Sequence, residues 1–195
     1  MVTLRKSKPR HMTLAEFLSW EPADRSGARW QLVDGVPVAM APTTETHAAL
    51  QGEIGAVLRN HLLDTRNRCR LLSQPGVVPR IGAGRNFRIP DLGVTCAPPS
   101  SGLTVADPVL LIEILSPSNE DETRANIWAY ATIPSVQEIL AVHSTRIEAE
   151  LLRRLPDGAW PDSPVILQAA DTLTLASIGF STHVSALYRT TALAS

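Results

Sequence analysis

The most informative segment of the sequence is "PVLLIEILSPSNEDETR", Pro108–Arg124. Its first half is apolar except for Glu113, and a run of this length and composition predicts a buried central strand. Burying a carboxylate without a positive partner costs several kcal/mol, so a charged group in such a strand needs an explanation. The partner of Glu113 is therefore the first thing to find.

The second half of this stretch predicts a helix. Ser118 or Asn119 can serve as the N-cap, acidic residues fill the first turn, and the pattern ends before Pro134. The following "VQEILAVHS" again has the composition of a strand. Strand, helix and strand in this order predict a βαβ unit with two parallel strands.

The chain before this unit predicts a short helix, a hairpin and a long helix. Thr13 and Glu16 form a T-x-x-E capping box, and Asp34-Gly35 is a strong turn signal between alternating segments. From about 46 to 63, apolar residues recur at helical spacing. We predict a helix there.

The remaining segments predict short strands. "CRLLSQPGVVPRIG" predicts two strands around a Pro-Gly turn, and "NFRIPDLGVTC" predicts a strand interrupted by Pro90. After Arg146 the pattern is again one of short strands, and "HVSALYR" predicts a closing helix. The fold class is therefore mixed α/β, with hairpins at both ends around one βαβ unit.

Length and composition predict one globular domain. The chain has 195 residues, 44% hydrophobic and 19% charged, so we expect a basic tail over 1–12 and a single domain over 13–195. No apolar run could span a membrane and no signal-peptide core follows the N-terminus, which favours the cytoplasm. Cys69 and Cys96 lie far apart with no CxxC spacing, so we predict reduced, packed thiols.

The charge distribution limits how the protein could bind a polyanion. The net charge is −1, so a nucleic-acid site would have to be a local patch. The only lysines are Lys6 and Lys8, and every other cation of the chain is arginine or histidine. Lysine chemistry is therefore excluded from the predicted domain.

Asp91 and Glu113 are the candidate chemical residues. If their strands are neighbours, the two carboxylates converge at one edge of the sheet, where a cation between them would relieve their repulsion. Mg²⁺ fits, because it takes oxygen ligands and binds one or two carboxylates. Two structural alternatives stay open. Glu113 could form an ion pair with Arg88 or Arg124, and the role of Asp91 could be limited to capping the turn after Pro90.

The motifs resemble a known family. "IPDLGV" and "LLIEILSPSNEDETRANIWAYATIPSVQEILAV" resemble the Uma-two family of restriction-endonuclease-like proteins, which belongs to the PD-(D/E)XK nuclease superfamily. Upstream, "WQLVDGVPVAMAP" and "THAALQGEIGAVL" resemble the family's early hairpin and its histidine-bearing helix. The resemblance extends over roughly 13–142.

This resemblance implies a central mixed β-sheet flanked by helices and hydrolysis of DNA phosphodiester bonds. Asp91, Glu113 and the backbone carbonyl of Ile114 would bind a catalytic Mg²⁺ or Mn²⁺ ion. His47 would lie near the site and contact phosphate or orient water, although it could equally be a surface residue at a helix start. Paired active sites are common where both DNA strands are cut, so a homodimer is plausible.

The chain departs from the family pattern at the catalytic lysine. The superfamily position two residues after Glu113 is Leu115, and the position one turn before Tyr130, where many family members have lysine, is Asn126. Asn126 can hold a water but brings no charge. Gln31 stands where the early hairpin often has glutamate. The alternative is therefore a catalytically inactive protein with a nuclease fold, which serves as a nucleic-acid-binding or regulatory module.

Other polar residues carry weaker predictions. Glu53 could face the site from the long helix, or it could belong to a solvated helix face. His61, His143 and His183 have no paired ligand spacing, so we interpret them as structural or exposed.

Overall fold

The structure is a computed structural model that describes residues 11–22 and 27–194. Most of the predicted basic tail, residues 1–10, therefore lies outside the described residues. The α-helices are α1 Leu14–Leu18, α2 Glu45–Asp64 and α3 Glu120–Ala131. The strands are β1 Trp30–Val33, β2 Val36–Ala39, β3 Arg70–Ser73, β4 Leu92–Thr95, β5 Pro108–Leu115, β6 Glu138–His143, β7 Glu148–Arg153, β8 Val165–Gln168, β9 Thr172–Leu175 and β10 Phe180–His183.

A six-stranded mixed sheet is the centre of the fold. Its strand order is β3-β4-β5-β6-β7-β8, and every neighbouring pair is antiparallel except β5 and β6. The parallel pair is connected through α3, so the predicted βαβ unit is confirmed. At one outer edge lies β8, whose Val165 and Ile166 side chains are exposed.

Helices α2 and α3 pack against opposite faces of this sheet. Leu110, Ile112 and Ile114 share one apolar cluster with α2, whereas Leu111 and Leu115 share another with α3. Because successive side chains of a strand alternate between faces, Glu113 lies on the α3 face. In the described ranges, no helix combines the length and the apolar character needed to cross a bilayer.

The predicted hairpins are present at both ends. In the first, Asp34 and Gly35 have φ values of 50° and 88°, as a tight turn between right-twisted strands requires. An isolated antiparallel β-bridge between Leu32 and Phe87 joins this hairpin to the segment that precedes β4. The second predicted hairpin is β7 with β8, which pair antiparallel within the central sheet. A further hairpin, β9 with β10, was not predicted.

One predicted strand is almost absent. After the Pro-Gly turn, the second strand is reduced to one isolated bridge between Val77 and Arg88, because no partner continues the ladder there. The predicted short closing helix is present over Val184–Tyr188, as a 3₁₀ helix instead of an α-helix. The long helix was correctly predicted to within a residue at either end.

The prediction of reduced cysteines was also wrong, because Cys69 and Cys96 form a disulfide. Their separation along the chain concealed their proximity in space. Strands β3 and β4 are antiparallel with Arg70 opposite Thr95, so the next residues outward, Cys69 and Cys96, face each other. The pairing of two strands therefore brings together thiols that the spacing alone did not connect.

Removing this disulfide should destabilise the protein by about 3 kcal/mol, since it closes a loop with a sequence separation of 27 residues in the unfolded chain. The measurement is urea unfolding of Cys69→Ser beside the wild type, each with and without dithiothreitol. Reductant should lower wild-type stability to that of the variant and leave the variant unchanged. Equal stability of oxidised wild type and variant would contradict this prediction.

Candidate active site

A cavity opens on the α3 side of the sheet, between the first hairpin and the N-terminal ends of α2 and α3. Among its lining residues are His47, Asp91, Glu113 and Asn126. All four are buried. The structure therefore brings together the side chains that the sequence placed in one site.

Asp91 is positioned by two hydrogen-bonding contacts. Its Oδ2 accepts a bond of 2.8 Å from the backbone N–H of Ile114, and its Oδ1 lies 2.9 Å from Nε2 of His47. Asp91 directly precedes Leu92, which pairs with Ile112, so Asp91 lies beside Glu113 across the two strands. The contact with His47 shows that this residue is a buried neighbour of the carboxylates rather than a surface residue.

Glu113 is a buried carboxyl group with a neutral partner. The Tyr130 hydroxyl donates a hydrogen bond of 2.7 Å to its Oε1. Burial, and then the neighbouring Asp91 carboxylate, raise the pKa of Glu113 well above its ordinary value, although Tyr130 and Asn126 act in the opposite direction. The two carboxylates therefore repel each other in a poorly solvated place.

The proposed arginine partners of Glu113 are engaged elsewhere. Arg124 forms an ion pair with Glu150, with one bond of 2.7 Å, and Arg88 donates to the Leu32 carbonyl at 2.9 Å. Among the described residues, therefore, neither arginine bonds to Glu113. The structural ion-pair alternative does not account for this carboxylate.

Gln31 joins the first hairpin to α3 at the cavity. Its Nε2 donates to Oε1 of Glu122 at 3.1 Å, and its Oε1 accepts from the backbone N–H of Ile89 at 3.1 Å. Glu122 lines the cavity. An acidic group thus reaches this wall from the helix instead of from the hairpin.

Glu53 does not belong to this site. It is buried rather than solvated, and its carboxylate forms an ion pair with Arg189, with one bond of 2.9 Å from Nε. His61 has a structural contact, because its Nε2 lies 3.0 Å from the Ile178 carbonyl. His183 is exposed, as expected.

Sequence reasoning missed a second polar cluster, formed by His143, Glu148 and Glu150. Within the described ranges, it is the one group of three His, Cys, Asp or Glu residues whose ligand atoms all lie within 4.8 Å of one another. The glutamates are two residues apart on β7, a spacing that places both side chains on one face. Arginines already neutralise this cluster: Arg124 binds Glu150, and Arg146 binds Glu148 at 2.6 Å.

The electrostatics of this cluster agree with an ion-pair network. Burial raises the pKa of Glu150, but the bonds from Arg124 and His143 outweigh it and hold that pKa below its ordinary value. The bond from Arg146 likewise lowers the pKa of Glu148. The network ties the first turns of α3 to β7 and so fixes the helix that carries one wall of the cavity.

The chemistry of Asp91 and Glu113 fits a divalent metal ion. Both are buried, they are neighbours, and no arginine or lysine of the described residues bonds to either. A bound cation would remove the repulsion that raises the pKa of Glu113. Two carboxylates with remaining positions for water match the ligand set that Mg²⁺ prefers.

A comparison with protein families shows to which family this chain belongs. The model of the family described as "Uma2: Putative restriction endonuclease" matches residues 14–185. The chain belongs to the Uma2 family. A relative from Synechocystis sp., described as an uncharacterized protein, is 32% identical over 179 residues, which cover 89% of this chain and 90% of that protein.

The Uma2 fold also matches a solved structure. A crystal structure titled as that of "a putative nuclease belonging to DUF820" from Anabaena variabilis has a TM-score of 0.72 to this chain at 15% identity. The match covers 91% of this chain and 97% of that chain. The family description supports a nuclease. The structural match supports the fold, and the restriction-endonuclease-like mixed sheet flanked by helices that was predicted from the sequence is confirmed.

Proposed function

We propose that this Uma2 protein is a metal-dependent endonuclease that hydrolyses DNA phosphodiester bonds at Asp91 and Glu113. The observation that carries the proposal is the pair of buried, neighbouring carboxylates on a cavity wall, with no arginine or lysine of the described residues bonded to them. Membership of a family described as "Putative restriction endonuclease" supports the reaction class. Such carboxylates are suited to holding a cation beside a phosphate.

The side chains of Asp91 and Glu113, with the carbonyl of Ile114, would hold Mg²⁺ or Mn²⁺. When bound, such an ion lowers the pKa of a water and neutralises charge on phosphate oxygens. The hydrogen bond from Tyr130 orients Glu113, and His47 orients Asp91. Asn126, which lines the cavity next to Glu113, would hold the attacking water through its side-chain amide.

The test is cleavage of supercoiled plasmid and of single-stranded DNA in Mg²⁺, in Mn²⁺ and in EDTA. We expect cleavage with either ion and none in EDTA. Asp91→Asn, prepared identically, controls for contaminating nucleases, and Asp162→Asn removes an exposed carboxylate away from the cavity as the matched control. If wild type and Asp91→Asn behave alike, hydrolysis is rejected, and binding of nucleic acid without cleavage becomes the preferred function.

Restoring the missing lysine should increase activity. Asn126→Lys places a cation one turn before Tyr130, where it can stabilise charge that develops on the phosphate, and we expect kcat to rise by about 10- to 100-fold. Ala125→Lys adds the same charge at the neighbouring exposed position of α3 and should leave kcat unchanged. Equal kcat for wild type and Asn126→Lys would show that the lysine has no role here.

If the protein cuts both strands of a duplex, two copies of the site could each cut one strand. We therefore infer a homodimer, in keeping with the prevalence of two-fold assemblies among oligomers. Light scattering coupled to size-exclusion chromatography measures the mass directly, and a monomer mass in the presence of DNA would reject this arrangement.

A further inference from the structure

Thr123 is a polar cavity residue that the proposed function does not yet use. It is 3% exposed and lies on α3, three residues before Asn126 and on the same side of the helix. Its backbone N–H donates to the Asn119 carbonyl at 2.8 Å. Its hydroxyl has no hydrogen-bond partner within the described part of the chain, which is unusual for so buried a polar group.

The Thr123 hydroxyl is open to the cavity. Within the described ranges, Arg88 Nε is the one side-chain polar atom that is both sealed from solvent and without a partner. The Thr123 oxygen also lacks a partner but is not sealed, and Thr123 lines the cavity. The Thr123 hydroxyl is therefore available to form a hydrogen bond with a molecule that enters the cavity.

The charged residues that line the cavity around Thr123 are unfavourable for an anionic phosphate. Three carboxylates line the cavity, those of Asp91, Glu113 and Glu122, whereas no arginine or lysine of the described residues does. Arg124, the next residue of α3, is bound to Glu150 outside the cavity. A phosphodiester in this cavity must therefore find neutral donors besides any metal ion.

A threonine hydroxyl is a suitable donor for this purpose. Hydroxyl groups of serine and threonine commonly bind phosphate oxygens of nucleic acids. The positive end of the α3 dipole points the same way, but acidic residues in its first turn, Glu120, Asp121 and Glu122, offset it. The side chain of Thr123, rather than the helix end, therefore provides the attraction.

We propose that the Thr123 hydroxyl donates a hydrogen bond to a non-bridging phosphate oxygen of a DNA strand in the cavity. This inference rests on the proposed function and adds a substrate-binding residue to it. Because the donor is neutral, it fixes the position of the phosphate without competing for the metal carboxylates. It also takes over part of the phosphate binding for which a lysine is absent.

The test separates the hydroxyl from the rest of the side chain. Thr123→Val keeps the shape and removes the donor, and Thr123→Ser keeps the donor. Fluorescence anisotropy of a labelled single-stranded oligonucleotide in Ca²⁺ measures binding without cleavage. We expect the Kd of the valine variant to rise by about 10-fold, the loss of one hydrogen bond from an uncharged donor to a charged phosphate oxygen, with KM rising in parallel. The serine variant should stay within about twofold of wild type.

Binding of Mn²⁺ followed by electron paramagnetic resonance should be equal in wild type and both variants, because Thr123 is not a metal ligand. If wild type cuts DNA and the valine variant binds and cuts equally well, the inference is overturned and the proposed function stands. Equal weakening of both variants would assign the effect to packing and also overturn it. A wild type that neither binds nor cuts DNA removes the proposed function and this inference together.

Discussion

Replacing Glu113 with glutamine should lower kcat/KM for DNA cleavage by about 10²- to 10³-fold, the loss expected when a central electrostatic contact is removed. Glutamine has nearly the same shape and can still accept the hydrogen bond from Tyr130, but it cannot carry the charge that holds a divalent ion. The measurement is steady-state cleavage of a defined oligonucleotide in Mn²⁺. Glu120→Gln, which changes an exposed acid at the N-terminal end of α3, is the matched control and should retain wild-type kcat/KM.

The same variant should be more stable than the wild type in the absence of metal. Burial and Asp91 raise the pKa of Glu113 in the folded protein above its value of 4.5 in the unfolded chain, so the folded state binds more protons. The contribution of Glu113 to wild-type stability is therefore fully present below the unfolded pKa and is lost as pH rises through the folded pKa. Glutamine does not titrate and avoids this loss.

Thermal unfolding in EDTA, from acidic to neutral buffers, measures this difference. The advantage of Glu113→Gln over wild type should grow as the pH rises. A variant that is less stable than wild type at every pH would show that Glu113 has a structural role instead. Full cleavage activity of a well-folded Glu113→Gln protein would remove the two-carboxylate mechanism.

Replacing Glu138 with alanine should destabilise the protein by about 3–5 kcal/mol, the cost of breaking a buried charged network on one side. Glu138 is 1% exposed and begins β6. Its carboxylate accepts bonds from Arg153 Nε at 2.7 Å, from the backbone N–H groups of Ala176 and Ser177 at 3.0 and 2.9 Å, and from the Ser177 hydroxyl at 2.6 Å. Alanine leaves all of these donors without their acceptor.

Urea unfolding measures this effect, and an unchanged slope with denaturant would show that the same surface is exposed on unfolding. The control is Glu120→Ala, which removes an exposed ion pair with Arg124 and should cost under about 1 kcal/mol. A loss in Glu138→Ala no larger than in this control would mean that water replaces the missing carboxylate oxygens.

The parts of the fold that the sequence predicted are those with strong local signals. The apolar run around Glu113, the acidic start of α3 and the Asp34-Gly35 turn each specify an element without knowledge of its neighbours. Asp91 and Glu113 could be placed together because a polar residue beside or within a buried strand needs a partner. The order of adjacent strands then brought them to one cavity.

What could not be predicted depends on pairing between distant segments. The Cys69–Cys96 disulfide follows from the register of β3 with β4, and the His143 cluster follows from that of β6 with β7. Thr123 gave no signal, because a threonine near a helix start is ordinary until its hydroxyl is seen to lack a partner. Glu53 was ambiguous for the same reason, since Arg189 lies far along the chain.

The outer edge of the sheet bears on how the protein behaves in concentrated solution. In the described part of the chain, β8 pairs with no strand other than β7, and the side chains of Val165 and Ile166 are exposed at this edge. The backbone N–H and carbonyl of Gln168, at the end of the strand, both bond to Asp171. Such an edge is a template on which an extended strand from another molecule can add. The strand is four residues long and Pro164 precedes it, so any intermolecular ladder begun there is short and its growth into larger aggregates is restrained.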